Sequence, residues 1–161
     1  MGILNLTPDS FFDGGKYKDE VSILDQVEYM LSHGATFIDM GAYSSRPGAA
    51  HVPEDEELKR MVPVIDLILK KFPDTLISVD TFRGRVAEES IEHGASIIND
   101  IAAGNLDKTM FDIVSKHQVP YIMMHMKGTP QSMQKEAVYG NLINDLRYYF
   151  SEKIKETTSK K

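Results

Sequence analysis

Short apolar runs alternate with longer stretches of helical spacing five times along this chain of 161 residues. That alternation limits it to a parallel sheet with helical crossovers. Strands are predicted at 2–5, 36–41, 76–79, around Ile97-Ile98, and at 121–124. Between them, Ile23, Leu24, Val27, Met30 and Leu31 set a helix over 21–33, stopped by Gly34. Glu54-Asp55-Glu56-Glu57 opens a second, where the acids face the positive end of the helix dipole. Leu58, Met61, Ile65, Ile68 and Phe72 continue its apolar face, and Pro63 inside it predicts a kink or a split. Further helices are predicted over 85–93, 108–117 and 142–155. In the last, Leu142, Ile143, Leu146, Tyr149, Phe150 and Ile154 predict a buried stripe, and 155–161 reads as a polar tail that frays. A quasi-repeat runs through the pattern: His33-Gly34-Ala35-Thr36-Phe37-Ile38-Asp39 parallels His93-Gly94-Ala95-Ser96-Ile97-Ile98-Asn99. The offset spans two βα units, as in a fold built from equivalent units.

Two α/β architectures satisfy this pattern. One is a flavodoxin-like doubly wound sheet. The other is a partial TIM (β/α)8 barrel, the first five βα units of a fold that needs about 250 residues. Polar residues at nearly every strand end favour the barrel: Asn5, Asp39, Asp80, Asn99-Asp100 and His125. A barrel gathers all strand ends at one mouth, whereas a doubly wound sheet uses a single switch point. Periodicity alone leaves both open. The chain reads as one unit over 1–161. With no cysteine it offers no disulfide, thiolate nucleophile or zinc–thiolate site, which fits a reducing, cytoplasmic setting. A net charge of −6 argues against sequence-independent nucleic-acid binding. No apolar run is long enough for a bilayer, and no signal peptide is evident.

The opening Met1-Gly2-Ile3-Leu4-Asn5-Leu6-Thr7-Pro8-Asp9-Ser10-Phe11-Phe12-Asp13-Gly14-Gly15 closely resembles the first signature of the dihydropteroate synthase family. Ile38-Asp39-Met40-Gly41-Ala42-Tyr43-Ser44-Ser45-Arg46-Pro47-Gly48 resembles the second, with serine at 45 where many members have threonine. Ala42-Tyr43 departs from the commoner Gly-Glu. Ile77-Ser78-Val79-Asp80-Thr81, Ile97-Ile98-Asn99-Asp100 and Met123-Met124-His125-Met126-Lys127-Gly128-Thr129-Pro130 match later strand ends and loops in the family's order. The resemblance covers essentially the whole chain and the family's first five βα units. The pterin-binding Asp, the Lys and the basic groups of strands six to eight have no counterpart here, and Met1 falls inside the family's first strand.

The resemblance implies condensation of 6-hydroxymethyl-7,8-dihydropterin diphosphate with p-aminobenzoate, giving 7,8-dihydropteroate and diphosphate. It implies pterin contacts from Asp80, Asn99, Ile101 and Met124. It places Phe11, Ser45, Arg46 and Pro47 in loops around p-aminobenzoate and the diphosphate, and gives Asn5 and Asp13 to a Mg2+ ion. No residue is assigned as catalytic, since the work is positioning and electrostatic stabilisation. Each residue has a plainer reading. Asp80 before a helix is a common N-cap, Asn99 a turn-capping amide, and Met124 core. Asn5 can cap the Thr7-Pro8-Asp9 turn, Asp13-Gly14-Gly15 is an ordinary turn, and Arg46 a solvated surface charge. His125 reads as support for the site and Lys127 as exposed.

Two other readings compete. A methyltetrahydrofolate-type pterin-binding domain shares similar strand ends but lacks the Asn5–Gly15 and Arg46-Pro47-Gly48 signatures. A catalytically inactive fragment is the other, because an open sheet leaves an unpaired edge and a bare inner face. The expectation is that these 161 residues alone have no synthase activity. Small-molecule substrates are the expected partners, with no nucleic acid or membrane. The full-length parent is expected to be a homodimer, as the family commonly is.

Overall fold

A computed structural model describes residues 1–6, 16–43 and 51–159. Five parallel strands, β1 (Gly2–Asn5), β2 (Phe37–Gly41), β3 (Leu76–Asp80), β4 (Ile97–Asp100) and β5 (Tyr121–Met123), lie side by side in chain order. That order settles the architecture. A doubly wound sheet reverses direction at a switch point, and this one never does. The four helices that connect these strands pack on one face of the sheet, as in a barrel wall.

The helices are α1 (Lys16–Ser32), α2 (Glu54–Lys71), α3 (Gly84–Glu92), α4 (Met110–His117), α5 (Met133–Glu136) and α6 (Leu142–Thr158). Alternate strand residues Leu4, Ile38, Met40, Ile77, Val79 and Ile98 point toward them and are fully buried. They meet Ile23 and Val27 of α1, Met61, Ile65 and Ile68 of α2, Ala87 of α3, and Met110 and Val114 of α4 in one core. The intervening strand residues form the other face, where Ile3 is 65% and Ile122 37% exposed.

The quasi-repeat is one local structure used twice. After α1, Gly34 N–H donates to Leu31 O (3.0 Å) and Ala35 N–H to Met30 O (3.0 Å). After α3, Gly94 N–H donates to Ile91 O (2.9 Å) and Ala95 N–H to Ser90 O (2.9 Å). These paired bonds form a Schellman cap, whose left-handed residue favours glycine; φ is 91° at Gly34 and 105° at Gly94. The end of α4 repeats the scheme with Gln118 at φ 54°.

Three sequence expectations need correction. Of the kink or split expected at Pro63, the split does not occur: the helix runs unbroken from Glu54 to Lys71. Proline removes the bond to the Lys59 carbonyl, but Lys59 and Pro63 both lie on the exposed face, where water can take that carbonyl's place. Burial of Leu58, Met61, Val64, Ile65 and Ile68 on the opposite face offsets the cost. The apolar stripe of α6 is not buried: Leu142 is 49%, Ile143 64% and Ile154 53% exposed. Among the described residues, no strand lies under that stripe. The helix contacts the rest of the chain through Lys153, whose ammonium sits 5.2 Å from the centre of the Phe111 ring, and through Tyr149, whose hydroxyl accepts from Asn105 Nδ2 at 3.1 Å. Finally, 155–158 is helical, not frayed, with the Thr157 and Thr158 hydroxyls donating to carbonyls one turn back.

Candidate functional site

Parallel register lines up one row of residues across the ends of the strands. Asn5 pairs with Gly41, Gly41 with Asp80, Asp80 with Asn99, and Asn99 with Ile122. Paired residues share a face, so this row stands on the helix-free side. One step below lies a second row of Ile3, Asp39, Ser78 and Ile97. The two rows meet through hydrogen bonds. Ser78 Oγ donates to Asp39 Oδ1 (2.6 Å), and Asn99 Nδ2 reaches Asp39 Oδ2 (3.4 Å).

Those contacts set up unmet acceptors. With its amide nitrogen turned to Asp39, Asn99 presents an Oδ1 that is buried and has no hydrogen-bond partner. The neighbouring Asp80 carboxylate receives no hydrogen bond or ion pair among the described residues. Burial, then the charges of Asp39, Glu57 and Asp100, raise its pKa from 3.8 to about 7. Gly41 beside it has no side chain, and a Cβ there would stand 3.5 Å from Asp80 Oδ2. A carboxylate and an amide oxygen therefore sit one strand apart, both needing donors.

Asp80 does not cap a helix. The N-cap of α3 is Arg83, and its first N–H, Gly84, is taken by Asp107 Oδ2 at 2.6 Å. Period-2 alternation also divides the Asn99-Asp100 pair. Asn99 faces the row, whereas Asp100 points to the helix side, fully buried. Its carboxylate accepts from Ala102 N–H (2.7 Å), Gly104 N–H (2.8 Å) and Tyr121 OH (2.6 Å). That clamp holds Ala103 and Gly104 at left-handed φ of 48° and 72°, and it raises the Tyr121 pKa, chiefly through burial and then the Asp100 charge.

Above the row, Glu57 from the first turn of α2 is fully buried. It accepts from Thr81 Oγ1 (2.7 Å) and pairs with Arg83 Nη1. Arg83 Nη2 also donates to Val52 O at 2.7 Å. Burial raises the Glu57 pKa, only partly opposed by Thr81 and Arg83. This ion pair pins the segment before α2 to the turn after β3.

Of the remaining sequence candidates, Ile101 is half-buried just past β4, and Met124 is 43% exposed. Met124 N–H donates to Asp100 O (3.1 Å), carrying the ladder one residue past β5. Asn5 is exposed at the end of β1. His125 packs edge-on against Tyr149, ring centres 4.6 Å apart. Lys127 is engaged, not free: Nζ donates to Val138 O and lies 4.1 Å from the Tyr139 ring centre. Phe11, Asp13, Ser45, Arg46 and Pro47 lie outside the described residues. Asp39 and Ser78 enter the site although neither was a predicted ligand contact. The available signal was spacing, since Asp39 lies two residues before Gly41, and Ser78 two before Asp80.

Residues 1–160 match the family described as "Pterin binding enzyme". The "Folate synthesis bifunctional protein, mitochondrial" of Pisum sativum is 44% identical over 160 residues, covering 97% of this chain and 31% of the relative. The "Dihydropteroate synthase" of Synechocystis sp. is 40% identical over 154 residues, covering 96% of this chain and 53% of the relative. A Yersinia pestis dihydropteroate synthase crystallised with a sulfonamide drug superposes with a TM-score of 0.88 at 42% identity, over 99% of this chain and 57% of that one. The chain spans about half the length of the synthases it matches.

Proposed function

The chain belongs to the pterin-binding enzyme family, and from that premise we propose that the whole protein is a dihydropteroate synthase. It condenses 6-hydroxymethyl-7,8-dihydropterin diphosphate with p-aminobenzoate, forming a C–N bond and releasing diphosphate. One observation carries this reading: Asp80 and Asn99 are register partners on adjacent strands, and among the described residues Asn99 Oδ1 is buried without a donor and the half-buried Asp80 carboxylate receives none. The guanidine-like edge of a pterin carries adjacent N–H groups that match a carboxylate and an amide oxygen. Asp39 orients the Asn99 amide, and Ile101 and Met124 give the ring apolar contact. The second substrate is supported by the Thermus thermophilus dihydropteroate synthase, similar to this chain at a TM-score of 0.81 and 32% identity, which was crystallised with 4-aminobenzoate.

A Mg2+ ion is part of the same proposal, supported by the chemistry of Asn5. Asn5 offers a hard amide oxygen in the same row as Asp80, and such ions share oxygen ligands with phosphates. Asn5 and Asp13 would hold it, and when bound it would neutralise diphosphate charge. Among the described residues, the cations beside the rim are committed elsewhere, Arg83 to Glu57 and Lys127 to Val138. The chain's own residues bind and orient: Asp80 and Asn99 fix the pterin so that its methylene faces the incoming amine.

The test is diphosphate release from the two substrates by the full-length protein, and its loss in Asp80→Asn and Asn99→Leu. A full-length protein that binds methyltetrahydrofolate but releases no diphosphate would overturn the reading. The 161 residues alone are expected to give no turnover, with the inner face uncovered. Homodimerisation of the full-length protein is part of the same reading and is checked by sedimentation. Among the described residues, no helix is long and apolar enough to cross a membrane; cytoplasmic placement remains part of the proposal.

A further inference from the structure

Tyr43 stands two residues past β2, at the position where the family resemblance breaks down. Its ring is half-buried. It lies edge-on to Phe82 (centroids 5.1 Å, 84°) and to His51 (6.1 Å, 75°), with the Arg83 guanidinium carbon 5.3 Å from its centre. Phe82 and Arg83 follow Asp80 by two and three residues, and Arg83 is itself locked to buried Glu57. The base of Tyr43 is therefore rigid. Its hydroxyl accepts a hydrogen bond from Gln131 Nε2 at 2.8 Å. Gln131 belongs to the segment after β5, and β2 and β5 are separated by β3 and β4. At about 4.8 Å per strand the linked strands are roughly 14 Å apart around the sheet. The Tyr43–Gln131 bond is thus a tie across the ends of the two strands that carry Asp80 and Asn99.

We infer that Tyr43, through Gln131, is a positioning residue for the second substrate. Resting on the synthase reading, the logic is spatial. The first substrate is held by the row at the strand ends. Its reaction partner must arrive from the loop side, where this tie fixes the segment after β5 relative to the turn after β3. Breaking it leaves the Asp80–Asn99 row intact but loosens what stands above it.

The experiment uses the full-length protein and measures KM for p-aminobenzoate, kcat, and the Kd of the dihydropterin diphosphate separately. Tyr43→Phe keeps the ring and removes the hydroxyl; Gln131→Leu removes the donor. Each is expected to raise KM for p-aminobenzoate about three- to tenfold, the worth of one neutral hydrogen bond, with pterin Kd unchanged. The double variant is expected to be no worse than either single one. Gln131→Glu, whose carboxylate can accept from the Tyr43 hydroxyl, is expected to restore the wild-type KM. An unchanged KM in Tyr43→Phe overturns the inference, as does a parallel loss of pterin affinity, which would mean a general structural role. Absence of diphosphate release by the wild type overturns the synthase reading and this inference with it. Wild-type turnover with unaltered variants sinks the inference alone.

Discussion

Replacing Asp80 by asparagine separates what the fold needs from what the site needs. Burial and neighbouring carboxylates raise the Asp80 pKa from 3.8 to about 7. Each unit corresponds to about 1.4 kcal/mol, so holding this carboxylate ionised in the fold costs on the order of 4 kcal/mol. The folded state binds the proton more tightly than the unfolded chain does. The contribution of Asp80 is therefore least unfavourable below about pH 4, worsens as pH rises toward 7, and is flat above. Asparagine keeps the shape and loses the charge. Above pH 7, Asp80→Asn should thus be more stable than wild type by up to about 4 kcal/mol, a large share of the roughly 5–15 kcal/mol of a typical domain. The advantage should vanish below pH 4. Urea unfolding of both proteins at several pH values, followed by circular dichroism, measures the difference; distant carboxylates cancel, whereas the relief of Asp39, Glu57 and Asp100 from the Asp80 charge is part of what is measured. The same variant should lose pterin binding, a case of stability given up for function. A variant no more stable than wild type at pH 8, or with an advantage independent of pH, would refute the reasoning and mean that Asp80 already has a donor.

Other consequences are simpler. If the pterin edge needs ionised Asp80, affinity in the full-length protein should fall about tenfold between pH 8 and pH 6, because the competent fraction falls by that factor; titration calorimetry at the two pH values reads it, and an affinity independent of pH over that range would refute it. Glu57→Gln leaves the Arg83 charge buried beside a neutral partner and should cost about 3–5 kcal/mol, seen as a lowered denaturation midpoint. Gly84→Ala should destabilise by about 1–3 kcal/mol in the same assay, since its Cβ would overlap Thr109 Oγ1 and stand 2.8 Å from Ile113 Cδ1. Asp100→Ala orphans two backbone N–H groups and the Tyr121 hydroxyl, and should cost several kcal/mol by urea unfolding while freeing Tyr121 to titrate at lower pH.

Local pattern alone was enough for the five strands and for the apolar faces of the helices that cover them. Alternation of apolar residues in Ile38 and Met40, or Ile77 and Val79, states which side of each strand is buried, because side chains alternate with period two. Gly34 foretold the end of α1, because the left-handed cap is a property of a few consecutive residues; that Gly94 ends α3 in the same way is what the structure adds to the quasi-repeat. Tertiary structure decided everything that required knowing neighbours. Strand order chose the barrel wall over the doubly wound sheet. The α6 stripe has the right period, yet Leu142, Ile143 and Ile154 are exposed and Leu146, Tyr149 and Phe150 only half-buried, because periodicity names a face and not what covers it. Asp39 joined the site by reaching Ser78, 39 residues away, and Asn99, 60 residues away. Tyr43, a departure from the family pattern in the sequence, became a tie across the strand ends only once Gln131 was brought within 2.8 Å. Short-range sequence encodes backbone conformation and which face is apolar. Which polar groups share a low-dielectric space, and so shift one another's charge, follows only from strand pairing across long stretches of chain.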